Sequence, residues 1–237
     1  MQNAWTRFVL CVDDVQKTLD FYVNSLGWSD PWTWGDPPDF AGCSGFSELE
    51  MRLVDQPGDV HGYPMHVTAS EIAKLYQTHS ERGITVIRDL GPQAWGEFGY
   101  VVEDLNGYHI RFTEREPDQR QGAACLVVPD LESALAYYRD VLGFANVSYW
   151  GDPPVFARVE EPARLEFCEN AELANRSPLH MISIYGDGVD ESYKKHVANG
   201  VELVDELEAM PWGLKQYVVQ DPNGFLLRFG EEYEPCE

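Results

Sequence analysis

Basic residues are scarce in this chain: 17 Lys and Arg stand against 40 Asp and Glu in 237 residues, a formal net charge of −23. A field of that sign repels phosphate backbones and anionic lipid surfaces, so nucleic acid and membranes are poor partners, and solubility is its plain purpose. Cysteine is sparser still. Cys11, Cys43, Cys125, Cys168 and Cys236 are odd in number, widely spread and free of any C-x-x-C pair. That pattern argues against a disulfide framework or a structural zinc and fits a reducing compartment. The first five residues, Met-Gln-Asn-Ala-Trp, show no basic region ahead of an apolar run, which predicts no signal peptide. No stretch reaches the roughly 18 apolar residues of a membrane span, so the expected location is the cytoplasm. G-x-S-x-G, G-x-x-x-x-G-K-[ST], H-E-x-x-H and G-x-G-x-x-G are all missing, which leaves no sign of a Ser-His-Asp triad or of nucleotide binding.

Self-similarity is what the sequence has in quantity. Trp34-Gly35-Asp36-Pro37-Pro38 recurs as Trp150-Gly151-Asp152-Pro153-Pro154, an offset of 116 (150 − 34). Phe21-Tyr22…Leu26-Gly27 matches Tyr137-Tyr138…Leu142-Gly143 on the same diagonal. Downstream the offset becomes 117 (212 − 95): Trp95-Gly96 pairs with Trp212-Gly213, and Asp104-Leu105-Asn106-Gly107 with Asp221-Pro222-Asn223-Gly224. The chain is therefore a tandem duplication, with units at 1–115 and 123–237 joined by a polar linker at 116–122.

Each unit divides again. Phe8–Val12 is a short apolar strand, and Asp13 or Asp14 caps the helix that follows. Val15, Leu19, Tyr22 and Leu26 form one helical stripe ended by Gly27, and Leu131, Leu135, Tyr138 and Leu142 repeat it before Gly143. Strand-like runs end near Leu49–Val54 and Arg164–Cys168. A second strand and helix follow, Met65–Thr68 with Ile72, Leu75, Tyr76 and His79, copied as Met181–Tyr185 with Val189, Tyr193, His196 and Val197. The Asn-Gly dipeptides suit tight hairpins before closing strands such as Tyr108–Thr113. The pattern predicts an α+β fold of four β-α-β-β-β modules, two per unit.

Val12-Asp13-Asp14-Val15…Phe21-Tyr22…Leu26-Gly27-Trp28 and Asp221-Pro222-Asn223-Gly224-Phe225-Leu226-Leu227-Arg228-Phe229, with Pro211-Trp212-Gly213 ahead of the latter, resemble the glyoxalase, bleomycin-resistance and extradiol-dioxygenase superfamily, also called vicinal oxygen chelate. The resemblance covers nearly the whole chain twice and sits closest to the bleomycin-resistance branch. It implies paired modules that curve sheets around clefts. In metal-dependent members four His or Glu ligands converge there, from the first and last strands of the modules. By that resemblance the first-strand positions hold Arg7 and Ala123, and the closing-strand positions hold Arg111 and Arg228 in place of Glu. Glu50 and Glu166 share a diagonal at the carboxylate position, although an alignment through Arg52 is also open. On the middle strand the matches are Pro64, with His66 two residues on, and His180 or Met181.

Only Glu166 and His180 then remain as candidate metal ligands, whereas a catalytic divalent site normally has three protein ligands. A guanidinium at a ligand position stays charged and repels a cation. Arg111 and Arg228 either hold an anionic or carbonyl-bearing ligand or pair with Glu50 and Glu166. Trp34, Trp95, Trp150 and Trp212, each flanked by Gly, read as lining of a cleft for a flat ligand. His79 and His196 lie on helical stripes and read as core.

The expectation is a metal-free, cofactor-free protein that sequesters an aromatic or cationic small molecule, as in antibiotic resistance. The two units would reproduce inside one chain the dimer of the single-unit resistance proteins, leaving a monomer or a homodimer. The rival reading is a lyase, isomerase or dioxygenase with Zn, Ni, Mn or Fe in a degenerate second-half site around Glu166 and His180. A third is metal-free chemistry with Glu166 or Glu50 as general base.

Overall fold

The computed structural model describes residues 1–46, 49–53, 65–93, 97–114, 123–174 and 181–234. The four modules are all present. The first runs β1 (Gln2–Val12), α1 (Val15–Asp20), a π-helical turn (Phe21–Leu26), β2 (Ser29–Gly35), β3 (Pro38–Ser44) and β4 (Leu49–Leu53). The second runs β5 (Met65–Ala69), α2 (Ile72–Glu81), β6 (Thr85–Pro92), β7 (Phe98–Glu103) and β8 (His109–Glu114). In the second half come β9 (Ala123–Val128), α3 (Leu131–Ala136), a π-helical turn (Tyr137–Val141), β10 (Ser148–Gly151), β11 (Pro154–Val159) and β12 (Leu165–Glu169). After the short α4 (Ala171–Ala174), the last module is β13 (Met181–Asp187), α5 (Val189–Ala198), β14 (Glu202–Ala209), β15 (Leu214–Gln220) and β16 (Leu226–Glu232).

Local chemistry accounts for these elements. Asp14 caps α1 by accepting from the Lys17 amide at 2.9 Å, and Asp130 caps α3 from Ser133 at 2.7 Å. The two helical stripes are buried as their spacing requires, and they extend through the π turns. On α5 the stripe differs from the sequence reading. Val197 is 45% exposed, and Ser192 takes its place on the buried face with Val189 and His196. The acidic turns before the closing strands are built alike: one oxygen of Asp104 accepts from the amides of Asn106 and Tyr108, and the other from the Tyr22 hydroxyl. Asp221 does the same with Asn223, Phe225 and Tyr138.

The strands form two mostly antiparallel eight-stranded sheets, and each sheet draws on both halves. One has the order β14-β15-β16-β13-β1-β4-β3-β2, the other β10-β11-β12-β9-β5-β8-β7-β6. The first module thus continues into the fourth through an antiparallel β1–β13 pair, and the second into the third through β5–β9. Helices pack on one face of each sheet, where Phe8, Leu10, Val12 and their repeat partners Ala124, Leu126 and Val128 join the core. The alternate residues of the same strands point to the opposite face, and the candidate site residues are among them.

Candidate functional site

Strand register assembles two equivalent constellations, one per sheet. On the first sheet Arg7 pairs across to Ser183, Ser183 pairs to Arg228, and Glu50 lies opposite Val9, two residues along β1 from Arg7. On the second sheet Ala123 pairs to His66, His66 pairs to Arg111, and Glu166 lies opposite Cys125. The sequence grouped Glu166 with His180, which lies outside the described residues; strand pairing brings first-half side chains to Glu166. Glu166 meets His66 and Arg111 of the first half, while Arg228 sits with Glu50 on the other sheet. The inward positions of the middle strands are His66 and Ser183; Pro64, Trp95 and His180 lie outside the described residues.

On the second sheet both oxygens of the buried carboxylate are engaged by neighbouring side chains. Glu166 is fully buried, and His66 Nδ1 reaches its two oxygens at 3.0 and 3.1 Å. Arg158 donates to Oε1 through Nε at 3.1 Å and Nη2 at 2.7 Å, and Arg111 donates to Oε2. Thr113 holds the other ring nitrogen of His66 at 2.7 Å, and Glu97 flanks Arg158 at 3.7 Å. Aromatic rings cover the cations: Arg111 lies over Phe156 and Arg158 over Trp150, each 5.2 Å from the ring centre. Burial alone would raise the Glu166 carboxyl. His66, Arg111 and Arg158 outweigh it and hold the group well below the usual carboxylate range. Both of its oxygens are thereby occupied by cationic or imidazole partners.

On the first sheet the constellation opens into a cleft of about 710 Å³, lined by Trp5, Arg7, Tyr185 and Trp212 with Tyr233 and the acidic Glu232 and Glu234. That volume falls within the range of ligand pockets, roughly 300–1,000 Å³. Period two explains the lining: Trp5 and Arg7 share one face of β1, and Ser183 and Tyr185 share that face of β13. Arg7 lies 4.8 Å from the Trp5 ring centre and 5.1 Å from that of Tyr185, and donates to Glu50 Oε1 at 2.6 Å. Arg228 is 3.9 Å from Glu50 Oε2.

The two constellations differ through a few substitutions between the repeats. Gly42 occupies the place of Arg158 (158 − 116), and the Trp32 ring lies where a Cβ at Gly42 would stand, 2.4 Å from it. Ser183 replaces His66 (183 − 117) and Tyr185 replaces Thr68 (185 − 117). One carboxylate therefore loses two of its partners, and the space gains an aromatic wall. Among the tryptophans singled out from sequence, Trp212 lines the cleft and is 65% exposed. Trp150 instead covers Arg158, and Trp34, 73% exposed, stands on β2 at the sheet edge. Arg158, Trp5 and Tyr185 were missed. Trp5 carried a signal in its spacing from Arg7, as did Tyr185 from its strand periodicity.

The superfamily's metal does not fit these donors. Among the described residues the central carboxylate of each constellation faces two guanidinium groups, and the second sheet adds His66 and the more peripheral Glu97, 3.9 Å from that ring and 3.7 Å from Arg158. Among the described residues no three His, Cys, Asp or Glu side chains cluster as a metal site would need. His79 and His196 stand apart in the core, each accepting from a buried tyrosine and donating to a helix-end carbonyl.

Four β-α-β-β-β modules, paired across two sheets with one polar constellation on each, define the vicinal-oxygen-chelate class of fold. The chain belongs to the Glyoxalase/Bleomycin resistance protein/Dioxygenase superfamily, whose sequence profile matches residues 5–112 and 120–229. Among solved structures, glyoxalase I from Zea mays aligns over 96% of this chain and 93% of its own, with a TM-score of 0.74 at 15% identity. A putative dioxygenase from Bacillus subtilis aligns over 97% and 84%, with a TM-score of 0.73 at 12% identity. At such identities the likeness is one of fold. No curated protein matches the chain in sequence.

Proposed function

We propose that this protein is a metal-free binder that sequesters an aromatic small molecule, in the manner of bleomycin-resistance proteins, and that the cleft of the first sheet is its working site. One observation carries the reading: of two equivalent constellations, one is closed by its own side chains and the other opens into a cleft of about 710 Å³ between Trp5, Tyr185 and Trp212. Stacking a flat ligand between such walls supplies affinity without any chemical step. Glu232 and Glu234 at the rim suit a cationic group on the same ligand. The two sheets, each completed across the halves, support a pseudo-dimer within one chain. The same reading places the protein in the cytoplasm; no helix among the described residues is long and apolar enough to cross a membrane.

Titration of chelator-treated protein with bleomycin and other aromatic natural products tests this. Tryptophan fluorescence should quench and saturate. Absence of response to every compound would remove the support for sequestration, and stoichiometric Zn, Ni, Mn or Fe in the purified protein would favour a metal-dependent enzyme instead.

A further inference from the structure

Beside Tyr185, one of the residues lining the open cleft, β16 carries no side chain. Gly230 pairs in register with Tyr185 of β13 on one side and with Gln216 of β15 on the other. Its φ lies outside the left-handed region, so the backbone there would accept a side chain. Space is what forbids one. A Cβ on Gly230 would stand 2.9 Å from both Cδ1 and Cε1 of the Tyr185 ring, well inside the roughly 3.5–4.0 Å of ordinary carbon–carbon contact. The ring thus lies over the bare backbone of β16, and Tyr185 is only 3% exposed although it lines the cleft. Trp5 and Arg7 crowd it from the β1 side, with the Trp5 ring centre 5.0 Å away and the Arg7 guanidinium 5.1 Å away. A ring displaced from Gly230 has the cleft to move into.

On the second sheet both positions change together. Thr113 stands in the place of Gly230 (230 − 117) and Thr68 in the place of Tyr185 (185 − 117), and these two are register partners as well. The Thr113 hydroxyl meets His66 Nε2 at 2.7 Å, inside the closed cluster. Each sheet therefore carries a matched pair: a large ring over a bare backbone on one, two small side chains on the other. We propose that Gly230 is a positioning residue of the cleft. By leaving room for the Tyr185 ring to lie down on β16, it keeps the space above clear and sets how large a ring system the cleft admits. This rests on the cleft being an aromatic binding site, and it adds the residue that sets its capacity.

Equilibrium dialysis of the full chain at neutral pH against 1-naphthylmethylamine and 1-pyrenylmethylamine tests it. The two carry the same ammonium group and differ in ring area. Gly230→Thr, which copies the second sheet, should weaken the pyrenyl compound at least about tenfold and the naphthyl compound by about threefold or less. Gly230→Ala is the milder change in the same direction, and it keeps the test in force should the threonine variant lose its circular dichroism signal. In a Tyr185→Ala background no ring is left to lift, so adding Gly230→Ala should alter either affinity by less than about twofold. Equal weakening of both compounds, or of neither, would overturn the role of Gly230 and leave the aromatic cleft standing. A selective loss that persists without the Tyr185 ring would overturn it too. Wild-type binding of neither compound would overturn the cleft reading and this inference together.

Discussion

Arg111 and Glu166 stand in opposite repeats, 55 residues apart, and their side chains form a buried ion pair at the centre of the second sheet. The same carboxylate also neutralises Arg158, so one acidic group holds two guanidinium groups from the two halves. Removing it leaves buried cations uncompensated. Glu166→Ala should therefore destabilise the fold by about 3–5 kcal/mol in urea denaturation at pH 7. Glu166 titrates below its unfolded value, so its contribution is complete above the unfolded pKa and is lost as pH falls beneath it. The difference between wild type and variant should narrow below about pH 4. A near-neutral substitution at pH 7 would contradict the reading of this cluster as the closed, structural counterpart of the cleft.

The duplicated histidines give a second pH dependence. Nε2 of His196 donates to the Leu142 carbonyl at 3.0 Å, and Nδ1 accepts from the Tyr217 hydroxyl at 2.8 Å, an arrangement that holds the ring neutral. His79 does likewise with Leu26 and Tyr100. Burial pushes His196 down to about 4 and lowers His79 too. Between the unfolded value and that figure the unfolded chain binds protons that the folded chain does not, so stability falls as pH drops through this window. For His196 alone the loss between pH 7 and pH 5 should be about 2 kcal/mol. His196→Gln should be less stable at pH 7 but flatter over that interval; parallel pH profiles would refute the assignment.

Much of this architecture was legible from local spacing. The 116-residue diagonal exposed the duplication, the stripe from Val15 to Leu26 gave the helix, and Asp104 and Asp221 announced the closing turns. Periodicity says which face of a strand a residue occupies but not which distant strand lies beside it. Hence the pairing of β1 with β13 and β5 with β9, which sends Glu166 to Arg111 and Arg228 to Glu50, could not be read in advance. Arg158 was missed for a related reason. It has no counterpart in the first repeat, where Gly42 stands, so a search by recurrence passes over it, although it lies directly opposite Glu166 on the adjacent strand. Val197 shows the limit of the helical pattern: an apolar residue one step off the stripe turned out to face solvent.

Trp212 and Trp150 look alike in the sequence, each beside a glycine, but the structure separates them. Trp212 lines the open cleft, and Trp150 lies over the Arg158 guanidinium of the closed cluster. Trp212→Ala should weaken binding of an aromatic probe by about tenfold, at little cost in stability because the ring is largely exposed. Trp150→Ala should leave probe affinity unchanged within about twofold and lower stability by about 1 kcal/mol through the lost cation–π contact. Isothermal titration and thermal melts on the two variants make the comparison. The reverse pattern would move the working site to the second sheet.

The opposition between arginine and metal can be tested by adding the missing donors. His66 and Glu166 already stand together on the second sheet, and their strand neighbours Ala123 and Arg111 are paired with His66 in register. The wild-type protein, stripped with chelator and offered Zn, Ni, Mn or Fe(II), should retain no stoichiometric metal after desalting. A triple substitution, Ala123→His, Arg111→Glu and Arg158→Gly, supplies two further donors and removes both guanidinium groups that face Glu166. Gly42 shows that the equivalent strand tolerates glycine at the third of these positions. Four N and O ligands converging without a competing cation make a plausible tetrahedral zinc site, so elemental analysis should find about one zinc per folded chain. Stoichiometric metal in the wild type would show that the guanidinium groups do not exclude it. A folded triple variant that stays metal-free would show that something other than the two arginines keeps metal out of this sheet.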